Sequence, residues 1–201
     1  MMRLADGLRV DRPSQRVEID AAVCLRIGFL EQVACSPGTR EHEAILVVVP
    51  RPSDVHAALL LLGLEPGHPG RWSVVDDRLM LEAPVGPRVS IAVRWTDDAG
   101  QHECPVEDWL RPVGEMPSPR PSHWIFAGSG FVHDPTAPTR ERYAADLSGS
   151  VIGIVTFGDE TLACPEVMSD QEAIEPLEWE AFTERIPPEG TPVTIVITPA
   201  D

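Results

Sequence analysis

Residues 43–49 read EAILVVV, an apolar run behind a single acid, and residues 55–62 read VHAALLLL, closed by Gly63. The first run is short and rich in β-branched side chains, so it predicts a strand buried in the middle of a sheet. The second is almost free of β-branched residues. Ser53 or Asp54 can cap it and Gly63 can stop it, which predicts a short helix over 54–62. A helix apolar on nearly every face must be covered by a sheet and by something else. Residues 16–22, RVEIDAA, alternate with the strand period, Val17 and Ile19 opposite Glu18 and Asp20. Residues 88–95, RVSIAVRW, alternate in the same way, and a turn at 97–100 leads to a return strand at 102–104. Residues 24–35 (with Gly28 as a bend), 123–127, 151–157 and 191–198 add further strands. The expected fold is α+β: a mostly antiparallel sheet of about seven short strands with the 54–62 helix packed on it.

The expected organisation is an N-terminal lead-in over 1–13 and one domain over 14–199. Within it lie a proline-rich connector at 111–121 and an acidic irregular segment at 158–190, with a short helix within 171–185. The chain has 201 residues, 43% of them hydrophobic, enough to bury a core, while 21 prolines and 15 glycines break long elements. No apolar run reaches the ~18 residues of a spanning helix. Residues 1–10, MMRLADGLRV, lack the apolar stretch of a secretory leader, which fits either a cytoplasmic chain or a processed mature one. The 16 basic residues are all arginines and face 32 acids, for a net charge of -16. Most of that excess lies beyond residue 100, and 158–190 holds ten acids and one arginine. Such a field repels nucleic acid and anionic membranes and leaves a basic protein partner or a cation as the chemistry it favours.

Four cysteines, Cys24, Cys35, Cys104 and Cys164, form no C-x-x-C pair. That argues against a thioredoxin-type site or an iron–sulfur cluster and leaves isolated thiols, disulfides in any of three pairings, or ligation open. The densest group of ligand-type side chains is Cys35, Glu41, His42 and Glu43, with His56 beyond the strand. Cys35, His42, Glu43 and His56 are the candidate metal set, chemically suited to zinc or another divalent transition metal, although the spacing matches no established motif. The bland alternative is a histidine hydrogen-bonded within the core. His102 and Cys104 share a strand face but lack further ligands. Ser129 and Ser148 lack the G-x-S-x-G setting of a hydrolase nucleophile. Gly128-Ser129-Gly130 and Gly149-Ser150 offer amides to an anion or simply make tight turns. Asp159-Glu160 does not match a calcium loop. Trp95 and Trp124 read as core, Trp109 and Trp179 as rim or interface groups. No catalytic constellation is complete.

The runs LEQVACSPGTREHEAILVV and VHAALLLLGLEPG, with VRWTDDAG, HWIFAGS, YAADLSGSVIGIVTFGDE and GTPVTIVITP, resemble the YdjY-type domain proteins abundant in planctomycete bacteria. The similarity covers roughly residues 8–199. Members are largely uncharacterised. Many look exported, which implies a periplasmic or envelope setting, and some carry a ferredoxin-type label whose cysteine arrangement is missing here. The expected function is a non-catalytic binding or structural interaction domain of the bacterial envelope, its oligomeric state undetermined by the sequence. The competing expectations are a metal-binding protein or metal-dependent enzyme built on the Cys/His/Glu set, and an acidic adaptor that docks a basic partner through 158–190.

Overall fold

The computed structural model describes residues 1–76, 78–113, 120–134, 137–168 and 178–200. A hairpin of β1 (Met2–Ala5) and β2 (Leu8–Asp11) leads into β3 (Arg16–Val23). Then come β4 (Gln32–Cys35), β5 (Ala44–Val48) and helix α1 (Pro52–Leu61). A hairpin of β6 (Arg71–Val75) and β7 (Arg78–Glu82) precedes the long pair β8 (Arg88–Asp97) and β9 (Gly100–Pro105). Short strands β10 (Leu110–Pro112) and β11 (Trp124–Phe126) come before a further hairpin, β12 (Phe131–Asp134) and β13 (Ala137–Tyr143). The single-turn helix α2 (Ala144–Ser148), β14 (Ser150–Gly153), β15 (Leu162–Ala163), β16 (Trp179–Ala181) and β17 (Pro192–Pro199) complete the order.

Eight of these strands close into a barrel in the order β3-β17-β8-β11-β15-β14-β4-β5, and β5 returns to β3. Closure depends on β3. One edge pairs along its length with β17; the other is shared, Arg16–Ile19 going to β2 and Ala21–Val23 to β5. The expectation of an α+β sheet of about seven strands with one helix is therefore corrected: the sheet is a closed eight-stranded barrel with additional sheets and two short helices. Local periodicity identifies strands but not which edges meet, so closure is invisible to it.

The register explains the core. Val17, Ile19 and Ala21 face Ile197, Ile195 and Val193, and Ile91 and Val93 continue the same layers. With Trp124, Phe126, Leu162 and Ile152 they fill the interior, as a barrel of this size requires. Gln32 is also buried; its Nε2 donates to Ser150 Oγ at 3.0 Å and its Oε1 has no partner among the described residues. Helix α1 covers one end with Val55, Ala58 and Leu59, while Leu30, Trp109, Leu110, Trp179 and Ile186 close the other. Trp109 and Trp179 are thus core rather than rim, at 0% and 1% exposure.

The α1 expectation stands with a changed cap. Pro52 occupies the first turn, Asp54 accepts from the Arg51 amide at 3.4 Å, and Gly63 at φ +86 ends the run. The Ser53 amide and hydroxyl both donate to Asp146 of α2, at 2.8 and 2.7 Å. Residues 2–11, expected as a polar lead-in, form a hairpin that buries Leu8 and Val10. Of 24–35 only Gln32–Cys35 is a strand, and of 151–157 only the stretch ending at Gly153. Residues 171–177 of the expected acidic helix and 114–119 of the connector lie outside the described residues.

Candidate functional site on the barrel wall

The four residues expected to gather around a metal go to different places. Cys35 is buried on β4, where desolvation pushes its thiol up. The turn after it is held by its own groups: Gly38 N donates to Glu41 at 2.5 Å, Thr39 Oγ1 to Ser36 O at 2.6 Å, and Arg40 to Glu43 at 3.0 Å. His42 stands in solvent at 77% side-chain exposure, its Nε2 3.5 Å from Glu43. His56 lies on α1 against Phe126 and Tyr143, its Nδ1 2.9 Å from the Tyr143 hydroxyl. That hydroxyl donates to Gly128 O at 3.0 Å, which leaves its lone pairs to accept from His56. Desolvation lowers the His56 pKa and favours the neutral ring. Among the described residues no group of three or more His, Cys, Asp or Glu is placed to hold a metal ion.

The remaining candidates are likewise absorbed locally. All four cysteines are free, and burial pushes Cys24 and Cys164 up to about 12 and Cys104 up to about 11, so these thiols stay protonated near neutrality. His102 sits 2.7 Å from Asp97 and stacks on Trp95. The amides of Gly128 and Ser129 donate to Thr161 O and Glu160 O at 3.0 and 2.9 Å, and Ser129 Oγ accepts from Ala145 N at 3.1 Å. This loop offers no spare amide pair at 128–129 to an anion. Glu160, noted in the sequence only as part of an acidic pair, is 1% exposed. Its Oε1 accepts from the Phe157 and Gly158 amides, and its Oε2 has no partner among the described residues. Burial raises this carboxyl to about 7. Its stem lies where a Cβ on Gly153 would approach to 2.4 Å, so the bare glycine makes room for it.

The wall outside the barrel is different in kind. The alternation that buries Val17 and Ile19 turns Glu18 and Asp20 outward, and the outward positions of β17 and β8 carry Thr194, Val196, Ala92 and Arg94. Glu18, only 7% exposed, is ringed by Arg94 at 2.8 Å, Arg9 at 3.4 Å and Arg16 at 3.5 Å. Burial would raise its pKa, but the hydrogen bond and charge of Arg94, aided by Arg16 and Arg9, outweigh it and hold the carboxyl below its ordinary value. Arg9 also grips Asp20 with two bonds, at 2.6 and 3.0 Å. Above this network opens a cleft of about 710 Å³, lined by Asp20, Val49, Arg94, Thr96, Gln101 and Thr194 among others. A smaller hollow of about 280 Å³ lies along the same strands over Ser90, Ala92, Val196 and Thr198. Arg94 lines the first and Glu103 the second, and the two side chains meet at 3.8 Å. The charges are matched within the wall, so it suits a partner that brings hydrogen-bonding and modest apolar surface rather than a large net charge.

The sequence held only half of this signal. RVEIDAA shows acids on one strand face and RVSIAVRW shows an arginine at its end, but only strand pairing brings Glu18 to Arg94. The model of one protein family, described as the YdjY domain, matches residues 8–198. No curated protein and no solved structure matches the chain significantly.

Proposed function

The chain belongs to the YdjY domain family, and we propose that it is a non-catalytic binding or structural interaction domain of the bacterial envelope that docks its partner on the outer wall of the barrel. The observation that carries this reading is the open cleft of about 710 Å³ above Thr194, floored by strands whose charged side chains are already fixed to one another. A pre-organised surface of this kind loses little side-chain freedom on binding. The envelope setting rests on the resemblance to exported relatives. The test is capture from a membrane-and-periplasm fraction of the native host. Wild-type chain is expected to retain a partner that Thr194→Trp, which fills the cleft, and Arg94→Ala both lose. Equal retention by both variants rejects the wall as the docking face, and turnover of a defined substrate abolished by His42→Ala rejects the non-catalytic reading.

The competing metal reading, built on Cys35, His42, Glu43 and His56, draws on the first three lying on one strand end and the turn that follows it. Stoichiometric zinc in untagged protein purified without chelator, lost in His42→Ala and Cys35→Ala, would favour it. Docking of a basic partner by the acidic 158–190 segment would instead weaken steeply with salt and survive Thr194→Trp.

A further inference from the structure

Free strand edges invite pairing, and folded proteins usually blunt them. The ladder of β1 with β2 is irregular between Arg3 and Ala5, and that of β12 with β13 between His133 and Asp134. The β9 edge carries His102 and Glu103. The β6–β7 hairpin has no break in its ladder, and the charges of β7, Arg78 and Glu82, stand only at the two ends of its edge. Its five pairs run in unbroken register from Arg71↔Glu82 to Val75↔Arg78, and among the described residues no third strand joins it. Trp72 Nε1 donates to Thr156 O at 3.2 Å, so β6 is moored to the body. On β7, Arg78, Met80, Leu81 and Glu82 are exposed, Met80 and Leu81 each at 55%. Leu81 shares a face with Val74, itself 56% exposed.

We propose that β7 pairs antiparallel with β7 of a second copy of this chain, about a two-fold axis at Met80. The strand reads Arg78-Leu79-Met80-Leu81-Glu82 and is self-complementary in that register: Arg78 stands opposite Glu82 of the second copy, position 79 opposite Leu81, and Met80 opposite Met80. The backbone permits the same register. Two residues connect Val75 to Arg78, and Asp76 has the φ of +50 typical of such tight hairpins. In a hairpin with a two-residue connection the first pair is hydrogen-bonded, so residues 78, 80 and 82 direct their amides and carbonyls to β6, and residues 79 and 81 direct theirs to the free edge. Centring the pairing on Met80 sets outward-facing 79 against outward-facing 81 in both directions. The two hairpins then form one continuous sheet across the dimer. This surface is separate from the outer-wall cleft, so its loss leaves the docking reading intact.

Sedimentation equilibrium of the full chain over a concentration series tests the pairing. Wild type is expected to reach a dimer. Arg78→Glu and Glu82→Arg each replace both cross-copy attractions by repulsions and weaken the dimer by about tenfold. The double variant R78E/E82R restores the opposition in reverse and recovers dimerisation to near the wild-type level. Leu81→Pro removes an outward amide but no β6–β7 ladder bond and leaves a folded monomer. A chain monomeric at every concentration, a dimer indifferent to both single reversals, or a double variant no better than the singles overturns the proposal.

Discussion

At the scale of single residues, two buried carboxylates meet the same desolvation with opposite outcomes. Glu18 is surrounded by three arginines and stays ionised below its ordinary pKa; Glu160 has two backbone amides, no cation among the described residues, and a pKa raised to about 7. A raised carboxyl means that the folded chain holds a proton the unfolded chain has released. The Glu160 contribution to stability therefore falls as pH rises from about 4.5 to about 7, by about 3 kcal/mol, and is level above that window. Glu160→Gln keeps an acceptor for the Phe157 and Gly158 amides and removes the titration. Denaturation midpoints measured from pH 4.5 to 8 are expected to fall less steeply in the variant than in wild type, and parallel profiles would refute the assignment. Nothing in the sequence shows that both acids are buried or which of them meets cations. Glu18 alternates with valine and isoleucine in an obvious strand, whereas Glu160 follows Gly158-Asp159 in what reads as a solvated turn, and only the bare face of Gly153 explains where its side chain goes.

Among the elements, those with a clear apolar period and end signals were legible, however distant their partners, and those without such a period were not. The strands at residues 16–22, 88–95 and 191–198 and the helix at 54–62 announce themselves by period and punctuation, and the structure contains each within two residues. The tie of α1 to α2 does not, because the acceptor for Ser53 is Asp146, 93 residues away. Asp146→Ala removes the acceptor for both the Ser53 amide and its hydroxyl and is expected to cost about 1–2 kcal/mol by chemical denaturation. An unchanged midpoint would show that the contact between the two helices contributes nothing. The short hairpins were missed for a different reason. Residues 131–143 carry prolines and charges that read as loop, and residues 71–82 show apolar residues only in patches, so neither has the period of a strand within a large sheet.

For the whole molecule, the decisive event is closure, which depends on β3 having enough length for three neighbours. That property is one of register, so the chain reads as a sheet while folding as a barrel. Closure also determines what the surface can offer. A closed barrel leaves few free edges, and its interior is filled, so the surface open to a partner is the outer wall, the loops at its ends and the projecting hairpins. The net charge of -16 says little about that wall, since its arginines and acids neutralise one another; the unbalanced acids lie mostly later in the chain, in a segment partly outside the described residues. The most direct test of docking on the wall is hydroxyl-radical footprinting of the chain, free and bound to the partner it captures from the envelope fraction. Binding through the wall predicts protection of Val49, Trp95 and Pro192 around the cleft, with the labelling of Phe157 and Met168 unchanged. Protection confined to residues 157–168 and 178–190, with Val49, Trp95 and Pro192 labelled as in the free chain, would contradict it.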